Sequence, residues 1–202
     1  MKTLFFIILC ALPFSAVFSQ NAKQQSFETA VKEIVTAFKT KNIKPVKKYI
    51  DAQMGLYTIY RPGVFDQYGK MEKPEFGEGM PNAVLSARHI VYTAIQYRKL
   101  PSYSCDADKW ARYGIFCDTV KISNALSDVC KSLNKYLYEE ADQKIPAKEI
   151  NKYIQWEKQS RRVVCCKKIT GGGSEDLIIH LIWKNNRWYL WLIDKVLTDC
   201  SA

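Results

Sequence analysis

Among the side chains able to do chemistry, His180 stands out, set between Ile178 and Ile182 in an apolar stretch near the chain end. The pairing expected for this stretch places it across from Trp191. A neutral imidazole can serve as general base, metal ligand or orienting hydrogen-bond partner. As a general base it needs an acid or hydroxyl within hydrogen-bond reach. With Tyr189 and Trp191, and with Ile178 and Tyr57 beside them, the ring would line a pocket for a flat or aromatic ligand whose orientation the polar tips fix. The same five residues also suit a packed core or an interface.

Little else reads as a reaction centre. There are two histidines in the chain, and no HExxH, CxxC, GxSxG or P-loop spacing. Zinc peptidase, thioredoxin-like, serine hydrolase and NTPase readings therefore lose their usual support, and neither a metal nor a cofactor is expected. Asp51, Asp66 and Asp194 fall near the pocket elements, but glycoside chemistry depends on the spatial separation of two carboxylates, which spacing does not supply. Gly171, Gly172 and Gly173 read as a turn between strands rather than an anion nest beside Lys167 and Lys168. Arg161 and Arg162 read as a solvated strand end.

The compartment follows from the start of the chain. A basic opening at Lys2, an apolar run from Leu4 to Leu12 and small residues at Val17 and Ser19 read as a signal peptide over residues 1–19, with the mature chain starting at Gln20. The run is short and ends at Pro13, so no membrane span is expected. Leu9 before Cys10 does not suit lipoprotein processing. Residues 20–202 then form a single α+β domain, exported to the periplasm or the extracellular space.

Losing Cys10 turns seven cysteines into six: Cys105, Cys117, Cys130, Cys165, Cys166 and Cys200. In an exported chain these read as up to three disulfides, with buried free thiols as the alternative. Cys165 and Cys166 are adjacent on a strand and should face opposite ways. Cys105 to Cys117 is short enough to close a local loop. The formal charge of +10, or +9 once Lys2 leaves, is spread as single and paired lysines. Such scatter reads as a solvated exterior and does not point to nucleic acid.

These residues are positioned by elements that the pattern predicts. A helix over Phe27–Thr40 buries Phe27, Val31, Ile34, Val35 and Phe38 behind a Ser26 cap, and a short helix over Val46–Ile50 follows Pro45. Leu56–Tyr60 is a strand, residues 61–82 a long Gly/Pro-rich loop, and Ala83–Val91 helical. Ala94–Leu100 and Trp110–Cys117 are strands, the second with a bulge at Gly114. Ile122, Leu126, Val129, Leu133 and Tyr136 define a helix, and another follows Pro146. Arg161–Ile169, Leu177–Lys184 and Arg187–Asp194 are strands, the last two joined by Asn185 and Asn186 in a two-residue hairpin turn.

That turn sets Trp183 opposite Trp188, Leu181 opposite Leu190 and Ile179 opposite Leu192. One face of the hairpin is then wholly apolar. The other, with Ile178, His180, Ile182, Tyr189, Trp191 and Ile193, is apolar with three polar handles, so both faces need covering by helices, a second protomer or a cavity wall.

The segments FETAVKEIVTAFKTKNIKPVKKYIDAQMGLYTIY and LIIHLIWKNNRWYLWLID resemble the opening and closing elements of the nuclear transport factor 2-like, cystatin-like α+β cone. The resemblance implies a curved antiparallel sheet around an N-terminal helix, with a pocket at the open end. That family hosts enzymes and binding proteins alike, so it does not choose between them. The chain is also similar to exported proteins of Bacteroidota whose short leaders end in FSQ. The function expected is a disulfide-stabilised, non-catalytic binding module for a small ligand or an envelope protein, or a homodimer formed through the C-terminal sheet. The alternatives are an enzyme using His180 as general base and an envelope structural protein using its basic exterior.

Overall fold

The computed structural model describes residues 14–76, 89–137, 142–171 and 173–200. Most of the expected signal peptide, residues 83–88 of the helix expected over Ala83–Val91, and Gly172 lie outside them, and residues 89–91 of that expected helix are irregular. Helix α1 (Phe14–Thr40) leads into the short α2 (Ile43–Lys48), then into the hairpin of β1 (Leu56–Tyr60) and β2 (Gln67–Met71). Next come β3 (Ile95–Tyr97), the ribbon of β4 (Tyr103–Ser104) with β5 (Lys109–Trp110), and β6 (Gly114–Asp118). Helices α3 (Ala125–Tyr136) and α4 (Ala147–Gln159) precede three long strands, β7 (Ser160–Lys168), β8 (Ser174–Lys184) and β9 (Arg187–Asp194).

The α+β class holds, with one seven-stranded sheet in the order β2-β1-β9-β8-β7-β6-β3. The sheet is mixed rather than wholly antiparallel, because β1 runs parallel to β9 and β3 parallel to β6. The first and last strands thus pair with each other, and β8–β9 is interior to the sheet rather than at its edge.

Each face of the sheet has its own helical layer. On one side Phe27, Val31, Ile34 and Phe38 of α1 are fully buried against Leu56, Ile179, Leu181 and Leu190. On the other, Leu126, Val129 and Leu133 of α3 and Tyr153 of α4 pack on Tyr57, Ile59, Ile182 and Leu192. Burying each such side chain contributes about 1.5–3 kcal/mol, so two-sided coverage is how this doubly apolar sheet becomes stable. Both faces of the hairpin, where a second protomer was one option, are occupied by the chain's own helices.

Several boundaries move for identifiable reasons. Helix α1 begins well before Phe27, because Ala22, Lys23, Gln24 and Gln25 are strong helix formers with no glycine or proline among them. Ser26 is therefore interior, its hydroxyl donating to the Lys23 carbonyl at 2.8 Å rather than capping the helix. Helix α2 starts at Ile43 because Asn42 caps it, its side-chain oxygen accepting from the Lys44 amide at 3.1 Å. The expected loop 61–82 contains β2, which pairs with β1 from Leu56–Met71 to Tyr60–Gln67. The expected strand Trp110–Cys117 divides into β5 and β6, which begins at Gly114 with φ +130°.

The hairpin turn is as expected, with Asn185 at φ +51° and Asn186 at φ +57°. Pairing follows the expected register from Lys184–Arg187 to Leu181–Leu190 and then shifts, so that His180 pairs with Leu192. Trp191 is the extra residue of a β-bulge. Beyond it Leu192 joins the α3/α4 core and Ile193 the α1 core, the reverse of strict alternation.

Candidate functional site

The five residues expected to form a pocket are largely brought together, but they are covered. His180 and Trp191 are fully buried, Ile178 and Tyr57 nearly so, and Tyr189 half-buried. Helix α4 lays Tyr153 and Trp156 onto them: Tyr57 meets Tyr153 edge-on at 5.4 Å between ring centroids, and Trp156 meets Trp191 at 5.8 Å. His180 lies edge-on to Trp191 at 6.2 Å. Both imidazole nitrogens lack a hydrogen-bond partner among the described residues. Burial, reinforced by the nearby Arg162 cation, pulls the ring down to about 3, so it is neutral. Ile178 belongs instead to a small core with Trp110, Phe116, Val164 and Cys166.

The cysteines are mostly not bonded. One disulfide joins Cys105 in the β4–β5 turn to Cys200 after β9, with Cα atoms 5.7 Å apart. Cys117, Cys130, Cys165 and Cys166 are free and buried, so neither three bonds nor a Cys105–Cys117 loop forms. Cys117 and Cys165 share one sheet face as diagonal neighbours on β6 and β7 and stay unbonded, while the others are kept apart. Cys117 and Cys165 lie in the α1 core, Cys130 on the inner face of α3, and Cys166 on the opposite sheet face, its thiol donating to the Arg112 carbonyl at 3.2 Å. As expected of neighbours on a strand, Cys165 and Cys166 face opposite ways. Burial pushes the Cys117, Cys130 and Cys166 thiols up to about 12, which leaves no nucleophilic thiolate.

The position of α3 is set by a contact with no local sequence signature. Asn124 makes no side-chain cap at its start. Instead Glu157 of α4, fully buried, accepts from the Leu126 amide at 2.9 Å, the Ser127 amide at 3.1 Å and the Ser127 hydroxyl at 2.6 Å. A carboxylate from the neighbouring helix thus satisfies the free amides of the first turn. At the other end, Asn134 exchanges two hydrogen bonds with the Ile145 backbone, fixing the return towards α4.

Beside this anchored helix lies a cleft of about 410 Å³ between the sheet, the first turns of α3, the β1–β2 connection and the tail after β9. Its floor is Ile59, Arg162 and Asp194, and its walls include Asp66, Lys121, Ser132 and Leu197. The pairing Asp118–Arg162–His180–Leu192 runs across four strands and carries Arg162 onto this face.

The carboxylates around the cleft are engaged. Asp66 pairs with Arg61 at 2.6 Å and Asp128 with Lys131 at 2.9 Å. Asp118 accepts from the Val120 and Lys121 amides, at 2.9 and 3.1 Å. Asp194, pushed up by burial, accepts from the Val196 and Leu197 amides at the same distances. Arg162 is not engaged: its Nε is buried without a partner, and its side chain forms no hydrogen bond or ion pair among the described residues. Burial pulls its guanidinium down, while Asp194 and Asp118 push it up. Lys121 is exposed at the mouth.

Of the three carboxylates considered earlier, Asp66 and Asp194 therefore line the cleft, and Asp51 pairs with Lys184 at 2.9 Å. Arg162 was read as solvated, yet a signal was present. Two adjacent arginines on a strand face opposite ways, and a sheet apolar on both sides must draw one of them inward.

A larger cleft of about 560 Å³ between α1, α2 and the β8–β9 turn is less suited to a ligand, because its cations are already bonded. Lys48 pairs with Glu33 at 2.8 Å, and Arg187 donates to the Lys48 carbonyl at 2.5 Å. No group of His, Cys, Asp and Glu among the described residues could hold a metal ion, and no described helix is long and apolar enough to cross a membrane. No family model, curated protein or solved structure matches this chain.

Proposed function

We propose that the protein is an exported, disulfide-stapled, non-catalytic binding module, and that its ligand sits in the α3 cleft with an anionic group on Arg162. The observation that carries the reading is the half-buried guanidinium of Arg162, which makes no hydrogen bond among the described residues, on a cleft floor where every neighbouring acid is engaged. A desolvated cation without a partner is costly, and a ligand carboxylate or phosphate relieves that cost through paired N–H···O bonds. The cleft volume falls in the range of small-molecule sites. The exposed Cys105–Cys200 bond suits an oxidising compartment, in keeping with the leader read from the sequence. A general-base role for His180 draws no support from its surroundings, since the ring is buried with no acid or hydroxyl within hydrogen-bond reach among the described residues.

The test is NMR of the arginine side-chain Nε–H groups during titration with acetate or phosphate. One resonance, absent from Arg162→Gln, is expected to shift and saturate while the others stay fixed. If no arginine resonance responds to either anion, the reading fails.

A further inference from the structure

The rim of this cleft is unlike its floor. Of the ten large apolar side chains exposed among the described residues, two line it, Ile122 and Leu197, and four more, Val64, Phe65, Val120 and Tyr136, lie within four residues along the chain of a lining residue. Val64 and Phe65 precede the lining residue Asp66, and Val120 precedes the lining residue Lys121. Tyr136 lies one helical turn beyond the lining residue Ser132, so it continues the same stripe of α3. Phe65 stacks on Tyr136 with centroids 6.3 Å apart, which joins the β1–β2 connection to α3.

Single exposed apolar residues are ordinary, but a cluster around one cavity marks a contact surface. Val120 is 91% exposed and Val64 79%, so the chain itself leaves them largely uncovered. The charges narrow the occupant. With Asp66, Asp118, Asp128 and Asp194 each engaged, the cationic groups left over are Arg162 on the floor and Lys121 at the mouth. Anion below and apolar contact above is the complement of one kind of molecule.

We infer that the cleft takes an amphipathic organic carboxylate, its head on Arg162 and its apolar body along the collar of Phe65, Ile122, Tyr136 and Leu197. This rests on the binding function proposed above and adds the class of ligand. The carboxylate would accept from the guanidinium, and the body would remove the collar from water. Selectivity then has two parts. Arg162 rejects neutral and cationic heads, and the collar rejects short anions.

The experiment is calorimetric titration of the leaderless chain with decanoate, acetate, decanol and decyltrimethylammonium, each below its aggregation limit. Decanoate is expected to bind at least about a hundredfold more tightly than acetate, and the neutral and cationic tails at least about tenfold more weakly than decanoate. Arg162→Gln should lose the preference for decanoate over decanol. Val120→Ser combined with Ile122→Ser, both on the surface, should bring decanoate down towards acetate. Circular dichroism of each variant shows that it is folded.

If decanoate and acetate bind Arg162 equally, the amphipathic class is wrong while anion binding stands. If neither binds, both readings fail. Decanol binding as tightly as decanoate would also overturn the inference. So would sedimentation showing that a second copy closes the collar and that decanoate does not displace it.

Discussion

Acidifying the protein should expose His180 as a stability switch. An unfolded chain titrates this ring near 6.5, whereas the folded chain holds it at about 3 because its site is dry and faces Arg162. Between those values the unfolded state binds the proton and the folded state does not, so stability falls as pH drops below about 6.5 and the loss levels off near 3. From about pH 7.5 to about pH 5 the loss assigned to His180 is about 2 kcal/mol, or about 4–8 °C in Tm for a chain of this size. Asp194 and Glu157, both pushed up by burial, titrate in the opposite sense, so the raw profile is a mixture. The comparison that isolates the ring is urea unfolding of wild type and His180→Leu at both pH values. Leucine is apolar and of similar size, so it removes two unpartnered nitrogens and should be neutral or stabilising at the higher pH. The wild type should lose about 2 kcal/mol more than the variant on acidification. Equal losses in the two proteins would refute a dry, neutral His180.

Other contacts give equally direct outcomes. Glu157→Ala leaves the Leu126 and Ser127 amides at the start of α3 unmet, while the Ser127 hydroxyl keeps the Asn124 carbonyl, and should cost about 2–3 kcal/mol in urea unfolding, with Glu157→Gln costing less because one acceptor remains; an unchanged midpoint for the alanine variant would contradict the cross-helix cap. Mass spectrometry after alkylation of the native chain from Gln20 onward should find Cys105 and Cys200 oxidised and the other four thiols reactive only once unfolded, and three disulfides would contradict the structure. Replacing both bonded cysteines by serine opens a span of 95 residues and should cost about 2–4 kcal/mol in the same assay. Asn185→Val forces a β-branched residue into positive φ and should cost about 1–2 kcal/mol, whereas Asn186→Gly should be neutral or stabilising; a tolerated valine would rule out the assigned turn.

Elements whose own periodicity and punctuation define them were readable from the sequence. Helix α4 starts behind Pro146, the inner face of α3 follows from Leu126, Val129 and Leu133, and the Asn185–Asn186 turn fixes the β8–β9 register at its tip. What failed was what tertiary contact decides. The bulge at Trp191 breaks an alternation that looks perfect in the sequence, because placing Leu192 and Ile193 in opposite cores outweighs one irregular pair. The disulfide links positions at either end of the sheet-forming half, and Cys105 gives no local sign that Cys200 is its neighbour.

The cleft was hidden for a similar reason. Its lining comes from the end of β1, the β1–β2 connection, the β6–α3 connection, α3 itself, one residue each of β7 and β9, and the tail after β9, so no contiguous motif represents it. The aromatic face around His180 was correctly found as apolar, but no pattern in β8 or β9 says that Tyr153 and Trp156 fill it. The adjacent pair Arg161 and Arg162 was the overlooked clue. Arg161 reaches the α1 face, where its guanidinium lies over Phe27 and Trp188, and Arg162 reaches the cleft.

The decisive measurement is an experimental structure of the protein purified from its native source, with attention to the guanidinium of Arg162. An anionic group is expected within about 3 Å of Arg162 in the α3 cleft, with apolar density running from it towards Ile122 and Leu197. An Arg162 side chain hydrogen-bonded to one of its own chain's carboxylates, with only water in the cleft, would contradict that expectation.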